Sequence, residues 1–202
     1  EEKDASESQR RITEINGGVY VFGRAAIESA LALIDTNNAQ GEKYLTDAAS
    51  RILAGGGAVD AVATQDTWLI AGVNDRAQLS DAGRELNRRI VRAHQLAGVT
   101  IQDPATTWID ATVSIGPDSV ILPGTILRGA TTIEGGAEIG PDTTLIDCEV
   151  GEGAHVRRTE ATLAVIGAGA DVGPFAYLRA GTELGSGGKI GAYVETIRNT
   201  PL

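Results

Sequence analysis

The stretch IDATVSIGPDSVILPGTILRGATTIEGGAEIGPDTTL, residues 109–145, carries an aliphatic residue at every sixth position. This period runs without exception from Ile109 to Leu145, and it returns from Ile166 to Ile190. Neither an α-helix nor a two-faced sheet produces a period of six. A coil with three flat faces does, because each hexapeptide supplies one short strand and one corner. The repeat therefore predicts a triangular parallel β-helix with its aliphatic residues inside.

The repeat also predicts the size of this rod. Three hexapeptides make a coil of 18 residues, so residues 109–190 would form about four to five coils, near 20 Å tall. Glycine often follows the aliphatic residue, where a tight corner needs its backbone freedom. The spacing breaks twice, with a step of five from Leu145 to Val150 and a step of ten from Val156 to Ile166. These breaks predict either an irregular coil or an extruded loop.

The first half of the chain has a different periodicity. Residues 24–35, 41–53 and 75–97 have the apolar spacing of amphipathic helices. In the longest, Leu79, Leu86, Ile90 and Ala93 would share one face, and Asn74 is placed to be the N-cap. Val19–Phe22 and Val59–Val62 have the character of strands. Strands alternating with helices indicate the end of an α/β domain. We therefore predict three segments, namely a partial α/β domain (1–74), a connecting helix (75–100) and a partial β-helix (101–202).

Composition narrows the classes of function. The formal net charge is −10, which argues against nucleic acid as a partner, and no apolar run is long enough for membrane insertion. A single cysteine and two histidines exclude a disulfide framework and a three-histidine metal site, and they favour a cytoplasmic location. The chain contains no methionine and its repeat continues almost to Leu202, so we expect it to be part of a longer protein.

Few residues in the repeat have a chemical rather than a structural interpretation. Thr107, Thr125 and Thr143 are spaced 18 apart, as in an ice-binding face, but corner packing explains them better. Cys148 has no base near it in sequence and is interpreted as a packing residue. Arg179 lies in the apolar stretch FAYLRAGTEL, where the repeat needs no cation. On residue type alone, a surface arginine and a phosphate-binding arginine are equally good interpretations.

Five strings support a family resemblance, and they occur in the order EINGGVY (14–20), NNAQGEKYLTD (37–47), GVNDRAQL (72–79), DPATTWID (103–110) and VGPFAYLRAGTELG (172–185). Together they resemble the bacterial bifunctional N-acetylglucosamine-1-phosphate uridylyltransferase/glucosamine-1-phosphate N-acetyltransferase. The resemblance implies a Rossmann-like nucleotidyltransferase domain followed by a left-handed parallel β-helix that forms homotrimers. It also implies synthesis of UDP-N-acetylglucosamine for peptidoglycan. The β-helix would acetylate glucosamine 1-phosphate from acetyl-CoA, and the first domain would transfer UMP from UTP with Mg²⁺.

The same resemblance implies roles for four residues. Glu1, Asn16 and Asn74 match positions that bind UDP-N-acetylglucosamine, and Asn74 also matches a Mg²⁺ contact. Carboxamides suit hydroxyl and acetamido groups, and an oxygen donor suits a hard cation. Arg179 matches the arginine that binds the phosphate of glucosamine 1-phosphate.

Some positions depart from the family pattern. Gly17 replaces the usual threonine, Ala180 a proline, and Ile197 the lysine expected to bind substrate. The resemblance places the phosphate loop and the magnesium aspartate before Glu1, and the general-base histidine and the acetyl-CoA contacts after Leu202. No catalytic residue is therefore assigned, and the chain alone is expected to be inactive.

Two alternatives remain at this stage. One is a sugar-nucleotide pyrophosphorylase whose β-helix is purely architectural. The other is a trimerising β-helix scaffold without enzymatic activity.

Overall fold

The computed structural model describes residues 5–197 and residue 201, and the chain divides into two compact units, Glu1–Asn74 and Asp75–Leu202. Among the described residues, the first unit contains helix α1 (Arg24–Leu31) and helix α2 (Thr46–Ala54). Short 3-10 helices span Gln9–Arg11 and Thr67–Ile70. The core of this unit is small and consists of Ala30, Ile34 and Ala48, with Phe22, Ile27 and Ile52 packed against it.

Helices α1 and α2 form in the stretches predicted as 24–35 and 41–53, although α1 ends four residues earlier and α2 begins five residues later than predicted. The strands predicted at Val19–Phe22 and Val59–Val62 are wrong. The described part of the first unit contains no strand, and Val21 is 99% exposed. A strand needs a neighbour to satisfy its backbone N–H and C=O groups, and residues 5–74 supply none. Leu31 and Leu53 are also exposed, although their spacing predicts that they face the core.

The second unit begins with helix α3 (Arg76–Leu96) and continues as a parallel solenoid of about five turns. Its short strands form three sheets, and each strand pairs in register with the strand one coil away. The predicted parallel β-helix is therefore confirmed. The first sheet has six strands, β1 (Thr100–Ile101), β4 (Val120–Ile121), β7 (Glu138–Ile139), β10 (His155–Val156), β13 (Asp171–Val172) and β16 (Lys189–Ile190). The second has β2 (Trp108–Ile109), β5 (Ile126–Arg128), β8 (Thr144–Ile146), β11 (Thr159–Thr162) and β14 (Ala176–Leu178). The third has β3 (Ser114–Ile115), β6 (Thr132–Ile133), β9 (Glu149–Val150), β12 (Val165–Ile166) and β15 (Glu183–Leu184).

The aliphatic residues of the repeat fill the solenoid as predicted, apart from Ile115, which is only partly buried. The step of ten residues turns out to be two steps of five, because Ala161 points inward between Val156 and Ile166 and is fully buried. The coil is shortened, and no loop is extruded there. Because the step from Leu145 to Val150 is also five, Leu145 pairs with Ala161, sixteen residues along rather than eighteen. Ala161 does not stand out in the sequence, because the other inward positions of the repeat are occupied by isoleucine, leucine or valine.

Each corner of the triangle contains a column of residues with positive φ, in the left-handed backbone region. A backbone N–H from this region bonds to a carbonyl of the previous coil, as Phe175 N does with Arg158 O at 2.7 Å. Glycine occupies many of these positions because other residues adopt this conformation at a cost. The three columns are Gly124, Asp142, Arg158, Phe175 and Tyr193; Gly129, Asp147, Leu163 and Gly181; and Asp118, Gly136, Gly153, Gly169 and Gly187.

Threonines line the inside of one corner. Thr107, Thr125 and Thr143 are fully buried, and each hydroxyl donates to a nearby backbone carbonyl. A buried hydroxyl is costly unless it is bonded, and these bonds remove that cost. The corner-packing interpretation is confirmed, because buried threonines cannot present an ice-binding face.

Helix α3 covers the first strands of the solenoid. Its N-cap is Asp75, whose carboxylate accepts the Gln78 N–H at 2.8 Å, so the prediction of Asn74 as N-cap is wrong by one residue. The helix turns Asn87, Val91 and Ile90 towards the solenoid, whereas Leu79 and Leu86 are exposed. Of the four residues predicted to share the apolar face, Ile90 is confirmed, whereas Leu79, Leu86 and Ala93 are exposed and were wrongly predicted.

Asn87 explains this orientation. Its side-chain amide donates to Thr107 O at 2.8 Å and accepts from Ile109 N at 3.0 Å. Strand β2 is the last strand of its sheet on that side, so Asn87 occupies the hydrogen-bonding position of a missing neighbour. Because Asn87 is buried for its hydrogen bonds, a pattern of hydrophobic residues cannot predict its position on the buried face.

Candidate functional site

Arg179 follows β14 at the end of the second sheet, and its guanidinium is held by a partner from the next coil. Nε donates to Oε1 of Glu195 at 2.8 Å, and Nη2 donates to the same oxygen. The guanidinium carbon also lies 5.4 Å from the centre of the Tyr177 ring. Both members of the ion pair are about half exposed, at 51% for Arg179 and 56% for Glu195. The site is therefore an ordered cation at the surface.

The backbone around Arg179 is fixed by a pair of buried threonines. The Arg179 N–H donates to Thr196 Oγ1 at 2.9 Å, and Thr182 Oγ1 donates to the Arg179 carbonyl at 2.7 Å. The two hydroxyl oxygens lie 2.7 Å apart. Since both groups are buried, these bonds hold the residue strongly in place.

The electrostatics of the pair favour the charged arginine. The hydrogen bond from Arg179 to Glu195 and the negative charge of that carboxylate raise the pKa of Arg179 above its usual value. Arginine has five N–H donors, of which this pair uses two. The other N–H donors of the Arg179 guanidinium can bind a second anion such as a phosphate. Glu195 is a partner that sequence reasoning missed, because sixteen residues separate it from Arg179.

A second cluster lies along the corner column that includes Arg158, Phe175 and Tyr193. The rings of Phe175 and Tyr193 stack with centres 5.4 Å apart, and the guanidinium carbon of Arg158 lies 5.8 Å from the centre of the Phe175 ring. Nε of Arg158 is 3.8 Å from a carboxylate oxygen of Asp142. Sequence reasoning did not find this ladder, although its members lie one coil apart in the repeat.

In the first unit, Asn16 lies in a turn that its own side chain stabilises. Oδ1 accepts the Gly18 N–H at 3.0 Å, and Nδ2 lies 2.5 Å from the Tyr20 hydroxyl. Tyr20 in turn stacks on Phe22, with ring centres 5.4 Å apart. The side chain of Asn16 is exposed, so its amide is oriented and accessible.

The Mg²⁺ contact at Asn74 stays a prediction. Asn74 supplies one side-chain oxygen, and Glu1 lies outside the described residues. Among the residues that the structure describes, no group of three or more histidine, cysteine or acidic side chains could hold a metal ion. Mg²⁺ requires six oxygen ligands, so Asn74 could provide only one of them.

Three further residues with reactive or substituted side chains lie elsewhere in the described chain. Cys148 is fully buried in the solenoid and burial raises the pKa of its thiol, so the packing interpretation is confirmed. His94 is half-buried on α3, and this burial lowers its pKa. Ile197, at the position where the resemblance implies a lysine, is 76% exposed. Asn16 and Asn74 belong to the first unit, whereas Arg179 belongs to the second.

A three-sheeted solenoid with a period of six residues defines the second unit as a hexapeptide-repeat parallel β-helix. Over 196 residues, which are 97% of the chain, it is 62% identical to the bifunctional protein GlmU of Mycolicibacterium gilvum and 60% identical to that of Clavibacter sepedonicus. It is also 56% identical over 200 residues to the bifunctional protein GlmU of Mycobacterium tuberculosis. The resemblance found in the sequence is confirmed. The chain spans 39% to 40% of the length of these relatives.

Other comparisons add little. No protein-family profile matches the chain. A perosamine N-acetyltransferase mutant from Caulobacter crescentus, solved with CoA and GDP-perosamine, covers 59% of this chain at 18% identity with a TM-score of 0.48. A hexapeptide transferase family protein from Anaplasma phagocytophilum covers 51% at 20% identity with a TM-score of 0.21. Among the described residues, no helix is both long and apolar enough to cross a membrane.

Proposed function

We propose that this chain is part of a bifunctional transferase that makes UDP-N-acetylglucosamine. The enzyme transfers acetyl from acetyl-CoA to glucosamine 1-phosphate, and then transfers UMP from UTP to N-acetylglucosamine 1-phosphate. The main support is the identity of 56% to 62% to bifunctional GlmU proteins along almost the whole chain. In this proposal residues 1–74 belong to the nucleotidyltransferase part, 75–100 to the connecting helix and 101–202 to the acetyltransferase β-helix.

In the acetyl-transfer site, Arg179 binds the phosphate of glucosamine 1-phosphate. The support is its geometry, since two buried threonines fix its backbone while its charged group stays half exposed. A phosphate approaching the guanidinium binds the N–H donors that Glu195 leaves available. The role of Arg179 is to hold and orient the sugar phosphate, and acetyl-CoA supplies the acetyl group.

In the uridylyl-transfer site, Glu1, Asn16 and Asn74 bind UDP-N-acetylglucosamine. The Asn16 amide is already oriented by Gly18 and Tyr20, so little ordering is needed when it meets a sugar hydroxyl or acetamido group. Asn74 contributes one oxygen ligand to Mg²⁺. When bound, Mg²⁺ neutralises charge on the phosphates.

The assembly and setting follow from the same proposal. The β-helix forms a homotrimer, and the enzyme works in the cytoplasm on a precursor of peptidoglycan. Neither nucleic acid nor a membrane is a partner.

A chimera tests this function. The matching segment of the Mycolicibacterium gilvum relative is replaced by this chain, and both half-reactions are assayed separately. We expect the chimera to retain acetyl transfer and uridylyl transfer. A folded chimera that has only uridylyl transfer would instead support the pyrophosphorylase with an architectural β-helix. A folded chimera with neither activity would support the scaffold.

A further inference from the structure

We propose that Asn16 is a site of spontaneous deamidation, a chemical modification that turns its side-chain amide into a carboxylate. Asn16–Gly17 is the one asparagine–glycine pair in the sequence. Glycine has no Cβ, so its backbone nitrogen is easier to approach and to reorient than that of any other residue. The inference does not depend on the proposed function.

The local structure favours this reaction. Gly18 N–H donates to Asn16 Oδ1 at 3.0 Å, and this bond closes a ring that holds the amide against the backbone of Gly17. A donor on Oδ1 also stabilises the negative charge that develops on this oxygen when Cγ is attacked. The side chain is exposed, so water can reach it.

The reaction needs no reagent other than water. The Gly17 backbone nitrogen loses its proton and attacks Asn16 Cγ, forming a new C–N bond. The Cγ–Nδ2 bond then breaks, and Nδ2 leaves as ammonia with that proton. Water opens the resulting five-membered imide at either carbonyl, giving aspartate or isoaspartate. The product has one more negative charge, in a turn that Asn16 previously stabilised as a neutral amide.

The first unit contains a second asparagine turn in which the following residue is not glycine. Asn38 has the same kind of turn, in which Oδ1 accepts the Gln40 N–H at 3.1 Å and Nδ2 donates to Glu42 O at 2.5 Å. Its next residue is Ala39, which carries the Cβ that Gly17 lacks. Asn38 is also half-buried and its Oδ1 accepts a second bond, from the Glu42 N–H at 3.2 Å, so the effect of the following residue is isolated by Ala39→Gly at Asn38 itself.

Peptide mapping by mass spectrometry tests the proposal on the folded chain held at neutral pH and body temperature. Trypsin releases Asn16 in residues 12–24 and Asn38 in residues 25–43. We expect the mass gain of deamidation to grow several times faster at Asn16 than at Asn38. Equal rates at the two sites would overturn the proposal. So would protection of Asn16 in the folded chain when the synthetic peptide 12–24 deamidates readily.

Two variants test the cause. A Cβ at position 17 would lie 2.7 Å from Ile70 Cγ2, so Gly17→Ala is combined with Ile70→Leu, which removes that branch, and Ile70→Leu alone is the control. The double variant should lose most of the modification at Asn16. In the opposite direction, Ala39→Gly should create a second fast site at Asn38. The proposal fails if neither rate changes while circular dichroism shows that the variants are folded.

Discussion

At the scale of the residue, Arg179 shows how a flexible cation becomes a fixed feature of the surface. An unpaired arginine side chain would lose considerable rotamer freedom on binding a phosphate. Here Glu195 and Tyr177 already restrict the side chain, and Thr196 restricts the backbone. This ordering lowers the entropic cost of binding an anion.

We expect Arg179→Ala in the chimera to lower kcat/KM for acetyl transfer. A charge-assisted hydrogen bond contributes about 1.5–3 kcal/mol, which corresponds to a loss of roughly tenfold to a hundredfold or more. Uridylyl transfer should stay nearly unchanged. Arg179→Lys is the informative comparison, because lysine keeps the charge but cannot form paired bonds to a phosphate, and it should restore only part of the rate. Unimpaired acetyl transfer by the alanine variant would remove Arg179 from the site.

Arg179 could be predicted from the sequence as a site residue, but its partner Glu195 could not. Arg179 stands out because a cation has no role in the repeat, so it could be found without a structure. Glu195 could not, since its significance depends on which residues the coil brings together sixteen positions apart. The same applies to Phe175 and Tyr193, whose stacking depends on a corner where both adopt the left-handed conformation.

At the scale of the element, α3 is attached to the solenoid by Asn87, whose side-chain amide makes the hydrogen bonds that a neighbouring strand would make with β2. Replacing Asn87 by leucine would leave Ile109 N–H and Thr107 O without their partner. Each unsatisfied buried group costs about 1–3 kcal/mol. We therefore expect Asn87→Leu to lower the free energy of unfolding measured by urea titration. Arg84→Ala, at an exposed position of the same helix, is the control and should change it by no more than about 0.5 kcal/mol. Equal stabilities for the two variants would show that Asn87 is not the attachment.

Helix α3 also carries an acid whose charge is strongly favoured. Hydrogen bonds from Arg88 and Arg89 lower the pKa of Glu85 from 4.5 to about 2. A carboxylate with a lowered folded pKa stabilises the fold above its unfolded pKa, and that contribution disappears as the pH falls through the folded value.

Glu85→Gln should therefore be less stable than the parent at neutral pH, and the difference should shrink as the pH falls from 4.5 to about 2. Thermal unfolding followed by circular dichroism at several pH values measures this. A difference that does not depend on pH would mean that the ion pairs do not stabilise the helix.

The helices also show which parts of an element a hydrophobic pattern can predict. The positions of α1, α2 and α3 follow from apolar spacing and from nearby glycines, so they were predictable. The buried face of α3 was not, because Asn87 is there for its hydrogen bonds rather than its hydrophobicity. The strands expected in residues 19–22 and 59–62 needed a neighbouring strand, and a local pattern carries no information about whether one exists.

At the scale of the whole molecule, the solenoid depends on one continuous column of inward side chains. Ile133 on β6 is 3% exposed, whereas its neighbour Thr132 faces outward. Ile133→Asp should unfold the solenoid, because a buried charge without a partner costs several kcal/mol. Thr132→Asp, on the same strand, should leave it folded. Far-UV circular dichroism and urea titration distinguish the two outcomes. A folded Ile133→Asp variant would contradict the inward assignment.

The solenoid was predictable because twelve inward residues keep two runs of the same period. The shortened coils were harder to predict, since Ala161 is small and could not be told from a surface residue by hydrophobicity alone. The structure shows that Ala161 is an inward residue, because it pairs with Leu145 and Leu178 of the neighbouring coils.

The shortened coils bear on how such a chain can change in length during evolution. In an ordinary sheet, losing one residue from a strand turns every following side chain to the opposite face. Here the steps from Val156 to Ala161 and from Ala161 to Ile166 are each one residue short, yet Ile166 and Val172 still point inward. The missing residue was taken from a corner, and the next strand resumed its register. Deletions and insertions among homologous genes should therefore accumulate at corners, and they should leave the order of inward residues untouched.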